Sequence, residues 1–94
     1  MAKPSDYIRK GWCKNTNALD DNGYSCEPTA PYAVKWCLAG AVCAAYKDDT
    51  PKREHAFDKV LAAIAPQSLF VAYWNDQPKR TKEEVIALLE SIGE

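Results

Sequence analysis

Phe57, Val60, Leu61 and Ile64 recur at i, i+3, i+4 and i+7, one apolar stripe along an otherwise polar stretch. That spacing predicts an amphipathic helix over about 51–65. Thr50 is placed as its cap, Pro51 at its first position and Ala65-Pro66 as its stop. Val85, Leu88, Leu89 and Ile92 repeat the stripe, and Thr81 with Glu84 three residues on supplies a capping box for a last helix ending near 92. The run 30–46 has a different pattern. Ala33, Val34, Trp36, Cys37, Leu38, Ala41, Val42 and Ala45 cover almost the whole circumference of a helical wheel, with polarity only at Lys35 and the ends of Tyr32 and Tyr46. A helix apolar all round is a buried one. With Thr29 as cap and Pro31 in the first turn, this run is expected to be the central helix on which the others pack. Its small residues, Gly40, Ala41, Ala44 and Ala45, let neighbouring backbones come close.

The remaining segments are shorter. "SDYIRKG" (5–11) predicts a first helix with Ser5 as cap, Asp6 at its positive end and Gly11 as its stop. In 12–27 the Asn22-Gly23 pair suits a tight turn between 12–19 and 24–27, which suggests a short β-hairpin leaning on the helices. Leu69/Tyr73 and Phe70/Trp74 pair at i, i+4, so 68–74 reads as a short helix, although its aromatic and β-branched content would also suit a strand. The expected architecture is mainly α: one domain over 1–94, a compact bundle of four or five helices with that hairpin.

Ninety-four residues suffice for one small core. A formal net charge of −1, from 12 basic and 13 acidic residues, argues against bulk nucleic-acid binding, which needs a basic excess. No apolar run approaches the length of a membrane span, and "MAKPSDYIRKGW" has no secretory signature, so the expected location is the cytoplasm. In a reducing compartment Cys13, Cys26, Cys37 and Cys43 are expected to be free thiols. They form no Cys-x-x-Cys pair, and Cys37 and Cys43, six apart, diverge by about 120° on a helix. Small buried residues are the expectation, with no metal and no cofactor. His55 is the single histidine and is expected at the surface. The pairs Asp20/Asp21 and Asp48/Asp49 fall in turns, where aspartate commonly caps backbone. No phosphate loop, dinucleotide fingerprint or nucleophile elbow occurs, so a non-catalytic role is expected.

The most suggestive surface is "YWNDQPKRT" (73–81). Arg80 and Thr81 precede a helix start that attracts anions, and Trp74 offers a stacking face beside Asn75 and Asp76. Trp12 with Arg9, Lys10 and Lys14 forms a second basic-aromatic cluster. The bland alternative is that Trp74 and Tyr73 complete the core, Asp76 caps a turn and the basic pair is solvated.

The order "GWC … AVKWCLAGA … WND … RT..EVIALL", from about Ile8 to Ile92, resembles an uncharacterised family of short bacterial and phage proteins. The Trp36-Cys37 helix with Gly40-Ala41 and the Trp74-Asn75-Asp76 turn carry that resemblance. It implies a compact helical domain inside a bacterium or its virus, and it assigns no catalytic residues. Two classes of function follow. The first is a non-catalytic binding protein: it sequesters a small anionic ligand such as a signalling nucleotide through Trp74, Asn75, Asp76, Arg80, Thr81, Trp12 and Arg9, with the pocket expected across a homo-oligomer interface, or it binds a protein partner. The second is a thiol or zinc protein built on the four cysteines.

Overall fold

The computed structural model describes residues 2–94, so residue 1 of the expected domain lies outside it. In chain order the elements are α1 (Pro4–Lys10), β1 (Ala18–Asp20), β2 (Ala33–Trp36), α2 (Leu38–Ala45), α3 (Thr50–Ile64), α4 (Val71–Asn75) and α5 (Lys82–Ser91). The fold is mainly α with one short antiparallel strand pair.

The central helix is the main correction. It spans Leu38–Ala45, not about 30–46, and residues 33–36 of that run are strand β2. Ala18 lies opposite Trp36 and Leu19 opposite Lys35, with a bulge before Asp20 meets Ala33. On its other side β2 is held by the segment after α1. The Trp36 N–H donates to the Gly11 carbonyl at 3.0 Å, and the Trp36 carbonyl accepts from the Cys13 N–H at 3.2 Å. Extended backbone at this position therefore finds partners on both edges, which satisfies the groups a helix would have satisfied internally. The helix begins where Cys37 caps it, its Sγ accepting the Gly40 N–H at 3.3 Å.

The Asn22-Gly23 turn forms as expected. Gly23 takes φ +83°, and Asp20 Oδ1 accepts the N–H groups of Asn22 and Tyr24, both at 2.9 Å. The strand after it is barely present: Leu19 and Ser25 make one antiparallel bridge, and the principal partner of β1 is β2. Two caps also shift. α1 starts at Pro4 with Lys3 as cap, the Lys3 N–H donating to the Asp6 carboxylate at 2.9 Å, so Ser5 is a buried helical residue. α3 is capped by Asp49, whose Oδ1 accepts the Lys52 N–H at 3.1 Å, and Thr50 is its first residue.

Ile8, Leu38, Val42, Val60, Ile64, Val85 and Leu89 are fully buried, with Trp36 and Trp74 nearly so. The buried line of α3 is Ala56, Val60 and Ile64, and Leu61 of the expected stripe is turned outward. α1 and α5 lie alongside each other: Lys82 Nζ reaches the Arg9 carbonyl at 2.9 Å, and the Ser5 N–H donates to the Glu94 carbonyl at 3.0 Å. No helix among the described residues is long and apolar enough to cross a membrane.

Candidate functional site

The Trp74-Asn75-Asp76 sequence ends α4, and its side chains point into the molecule. Asn75 is completely buried. Its Oδ1 accepts from the Trp12 indole N–H at 2.8 Å and from the Leu38 N–H at 3.0 Å. Its Nδ2 donates to the Cys13 carbonyl at 3.1 Å and to Asp76 Oδ1 at 2.9 Å. The same Asp76 oxygen accepts the Asn15 N–H at 2.9 Å, where Asn15 sits at φ +70°. One amide thus ties together the segment after α1, the start of α2 and the end of α4. Lys14 adds to this tie, with Nζ donating to the Gln77 carbonyl at 2.7 Å and lying 5.3 Å from the Trp12 ring centre.

Arg80 closes the other side. Its guanidinium lies 3.7 Å from the Trp74 ring centre, its Nε donates to the Trp74 carbonyl at 2.9 Å, and its Nη1 donates to Glu84 at 3.2 Å. Thr81 caps α5 as the sequence indicates. Its N–H donates to Glu84 Oε1 at 2.9 Å, and its Oγ1 accepts the Glu84 N–H at 3.2 Å. The Glu84 carboxylate therefore occupies the position at the helix start that an external anion would take. The Thr81 N–H is the largest influence holding the Glu84 carboxyl below its usual value; burial opposes it, and Arg80 adds to the lowering.

Trp12, Trp74, Asn75, Asp76 and Arg80 are thus brought into one network, with Thr81 at its margin. Arg9 is elsewhere: on the outer face of α1 it pairs with Asp6 at 3.3 Å and with Glu90. A side chain stacked, bonded and buried in this way holds loops together; it has few free donors left for a ligand.

The four thiols are free. Cys13 is pushed up to about 12, chiefly by burial and then by the neighbouring Cys37 and Asp76. Burial also raises Cys26, Cys37 and Cys43, and at Cys37 this outweighs the N–H groups of Gly40 and Ala39 that favour a thiolate. A reactive thiol needs the opposite shift. Among the described residues no three His, Cys, Asp or Glu side chains form a group able to hold a metal ion. His55 is exposed on α3. Asp20 and Asp49 spend their carboxylates on backbone N–H groups.

A different surface lies around the start of α4, where the sequence pattern indicates a helix but no exposed face. Leu69, Phe70 and Tyr73 are 75, 71 and 65 % exposed. A signal for it was available: residues 60–75 contain no charged side chain in a chain that is 27 % charged.

A family model described as a family of unknown function (DUF6197) matches residues 4–93. No curated protein and no solved structure gives a significant match.

Proposed function

The chain belongs to that family of unknown function, and from its own surface we propose that it is a small non-catalytic binding protein that docks an apolar face of a partner protein. The observation that supports this most is the exposed Leu69-Phe70-Tyr73 cluster in the charge-free segment 60–75. Interface cores are depleted in charge and enriched in aromatic rings, and rings exposed to this degree gain about 1.5–3 kcal/mol each when covered. The anion-sequestering reading draws less support at Trp74 and Arg80, because those side chains are engaged within the molecule. The thiol reading draws less still, since burial raises all four cysteines. The reading carries with it a cytoplasmic setting in a bacterium or its virus, which the Trp-Cys-x-x-Gly-Ala and Trp-Asn-Asp resemblance implies.

The test is site-specific photocrosslinking from position 70 in the native host, with position 83 as a control on the charged face of α5. The expected result is an adduct to one defined protein from position 70 only, abolished by Leu69→Glu/Tyr73→Glu. Adducts at both positions alike, or none at 70, would sink the reading. An adduct formed only with a second copy of the chain would replace it with self-assembly.

A further inference from the structure

We propose that the cleft between α1, the 28–31 loop and the end of α2 is a binding site for a small phosphomonoester carried on a flat ring. The cleft has a volume of about 260 Å³. Its apolar wall is Tyr7 packed edge-to-face on Trp36, ring centres 4.9 Å apart at 76°, and buried Ala33 and Ala44 also line it. The Trp36 indole N–H is already committed to the Pro28 carbonyl at 3.0 Å, which pins the loop forming the opposite wall. The site is therefore held open by bonds that a ligand need not break.

Its charge is one-sided. Lys10 and Lys47 line the cleft and no carboxylate does, in a chain whose net charge is −1. Asp48 and Asp49 line the adjoining depression with Lys52, and Tyr7, Ala44 and Lys47 border both. Arg9, Lys52, Lys59 and Arg80 have carboxylate partners, and Lys14 and Lys82 donate to backbone carbonyls; Lys3, Lys35, Arg53 and Lys79 make no ion pair among the described residues but do not line this cleft. Among the described residues neither Lys10 nor Lys47 has a carboxylate within ion-pair distance. Lys10 lies 5.4 Å from the Tyr7 ring centre, so ammonium and ring are presented together.

Two unpaired ammonium groups favour a dianion over a monoanion, and the ring edge beside them favours a flat apolar body. Phosphate on a ring meets both requirements. The volume sits just below the roughly 300–1,000 Å³ of common ligand pockets, which limits the occupant to about one nucleoside monophosphate and excludes dinucleotides. This site shares no residue with the 60–75 face, so it stands or falls independently of the partner-docking reading.

The test is titration of the ¹⁵N-labelled chain with AMP, against inorganic phosphate and adenosine as part-ligands. AMP is expected to shift Tyr7, Lys10, Ala30 and Lys47 amides and the Trp36 indole, and to bind at least tenfold more tightly than either part. Lys10→Gln and Lys47→Gln, both solvent-facing changes, are each expected to weaken AMP about tenfold at unchanged melting temperature. AMP binding no tighter than phosphate, shifts centred elsewhere, or a double glutamine variant that binds like the parent would overturn the proposal.

Discussion

Asn75 makes four hydrogen bonds from a fully buried amide, and among the described residues no other side chain hydrogen-bonds three separate segments. Asn75→Ala leaves the Trp12 indole N–H, the Leu38 N–H and the Cys13 carbonyl without partners in the interior. Each orphan costs about 1–3 kcal/mol, partly relieved by water and relaxation, so the variant is expected to lose about 2–4 kcal/mol in urea unfolding. Glu94 is a second buried tie, receiving Lys59 Nζ at 2.6 Å and the Tyr46 hydroxyl. Burial by itself would raise its carboxyl, but the Lys59 and Tyr46 hydrogen bonds and the Lys59 charge outweigh that and hold it below the usual 4.5. A depressed carboxyl contributes stability above its unfolded value, and that contribution fades as pH falls through the folded value. The urea midpoint should therefore drop on acidification below pH 4.5, and Glu94→Gln should be weaker at neutral pH with a flatter acid limb. The raised thiols make a chemical prediction at the same scale. Alkylation mapped by mass at pH 7 should be slow at every cysteine, with half-exposed Cys26 and Cys43 modified before buried Cys13 and Cys37.

Among the elements, α2 shows best what local pattern can and cannot convey. Helix propensity says Gly40→Ala should stabilise a helix interior by about 1 kcal/mol. Here a Cβ on Gly40 would stand 2.0 Å from the Asn17 carbonyl oxygen, because the residue before β1 crosses directly over the helix. The variant is expected to lose about 2 kcal/mol or more in thermal unfolding, reversing the sign, since neither backbone can yield cheaply. That crossing is also beyond what the local pattern of the central run can report. Helices α3 and α5 were legible because their signals are local: a stripe at 3.6-residue period and the Thr81-Glu84 box lie within a few residues of what they cap. Ala33, Val34 and Trp36 carry apolar side chains that suit either conformation, and the strand partners of 33–36, Gly11, Cys13 and Ala18–Asp20, lie far back in the chain. The cysteine at 37 concealed the helix start, because a thiol is an uncommon cap. The Trp74-Asn75-Asp76 turn was found as a notable grouping, but Trp12 and Leu38, 63 and 37 residues away, are what turn its amide inward, and no local pattern reports them.

At the scale of the molecule, charge and stability are distributed differently. All charged side chains fall before residue 60 or after residue 75, leaving one uncharged segment whose inner residues, Val60, Ile64 and Trp74, fill the core. Its outer residues do nothing comparable for the fold. Ser68 accepts the Phe70 N–H at 3.2 Å and donates back to the Phe70 carbonyl at 3.0 Å, so the backbone here is held by Ser68 and not by the rings beside it. The ring of Phe70 and the side chains of Leu69 and Tyr73 then remain in water at a standing cost to solubility. Replacing any one of the three by serine should move the melting temperature by no more than about 4 °C, because a surface change away from caps and cores lies within about 0.5 kcal/mol. Each such variant should need more ammonium sulfate to precipitate. A large fall in melting temperature would mean that these side chains support the fold after all, and the case for a partner-facing surface would lose its footing. An unchanged melting temperature with higher solubility would leave three large apolar side chains that the isolated domain does not need, which is the signature of a surface kept for contact.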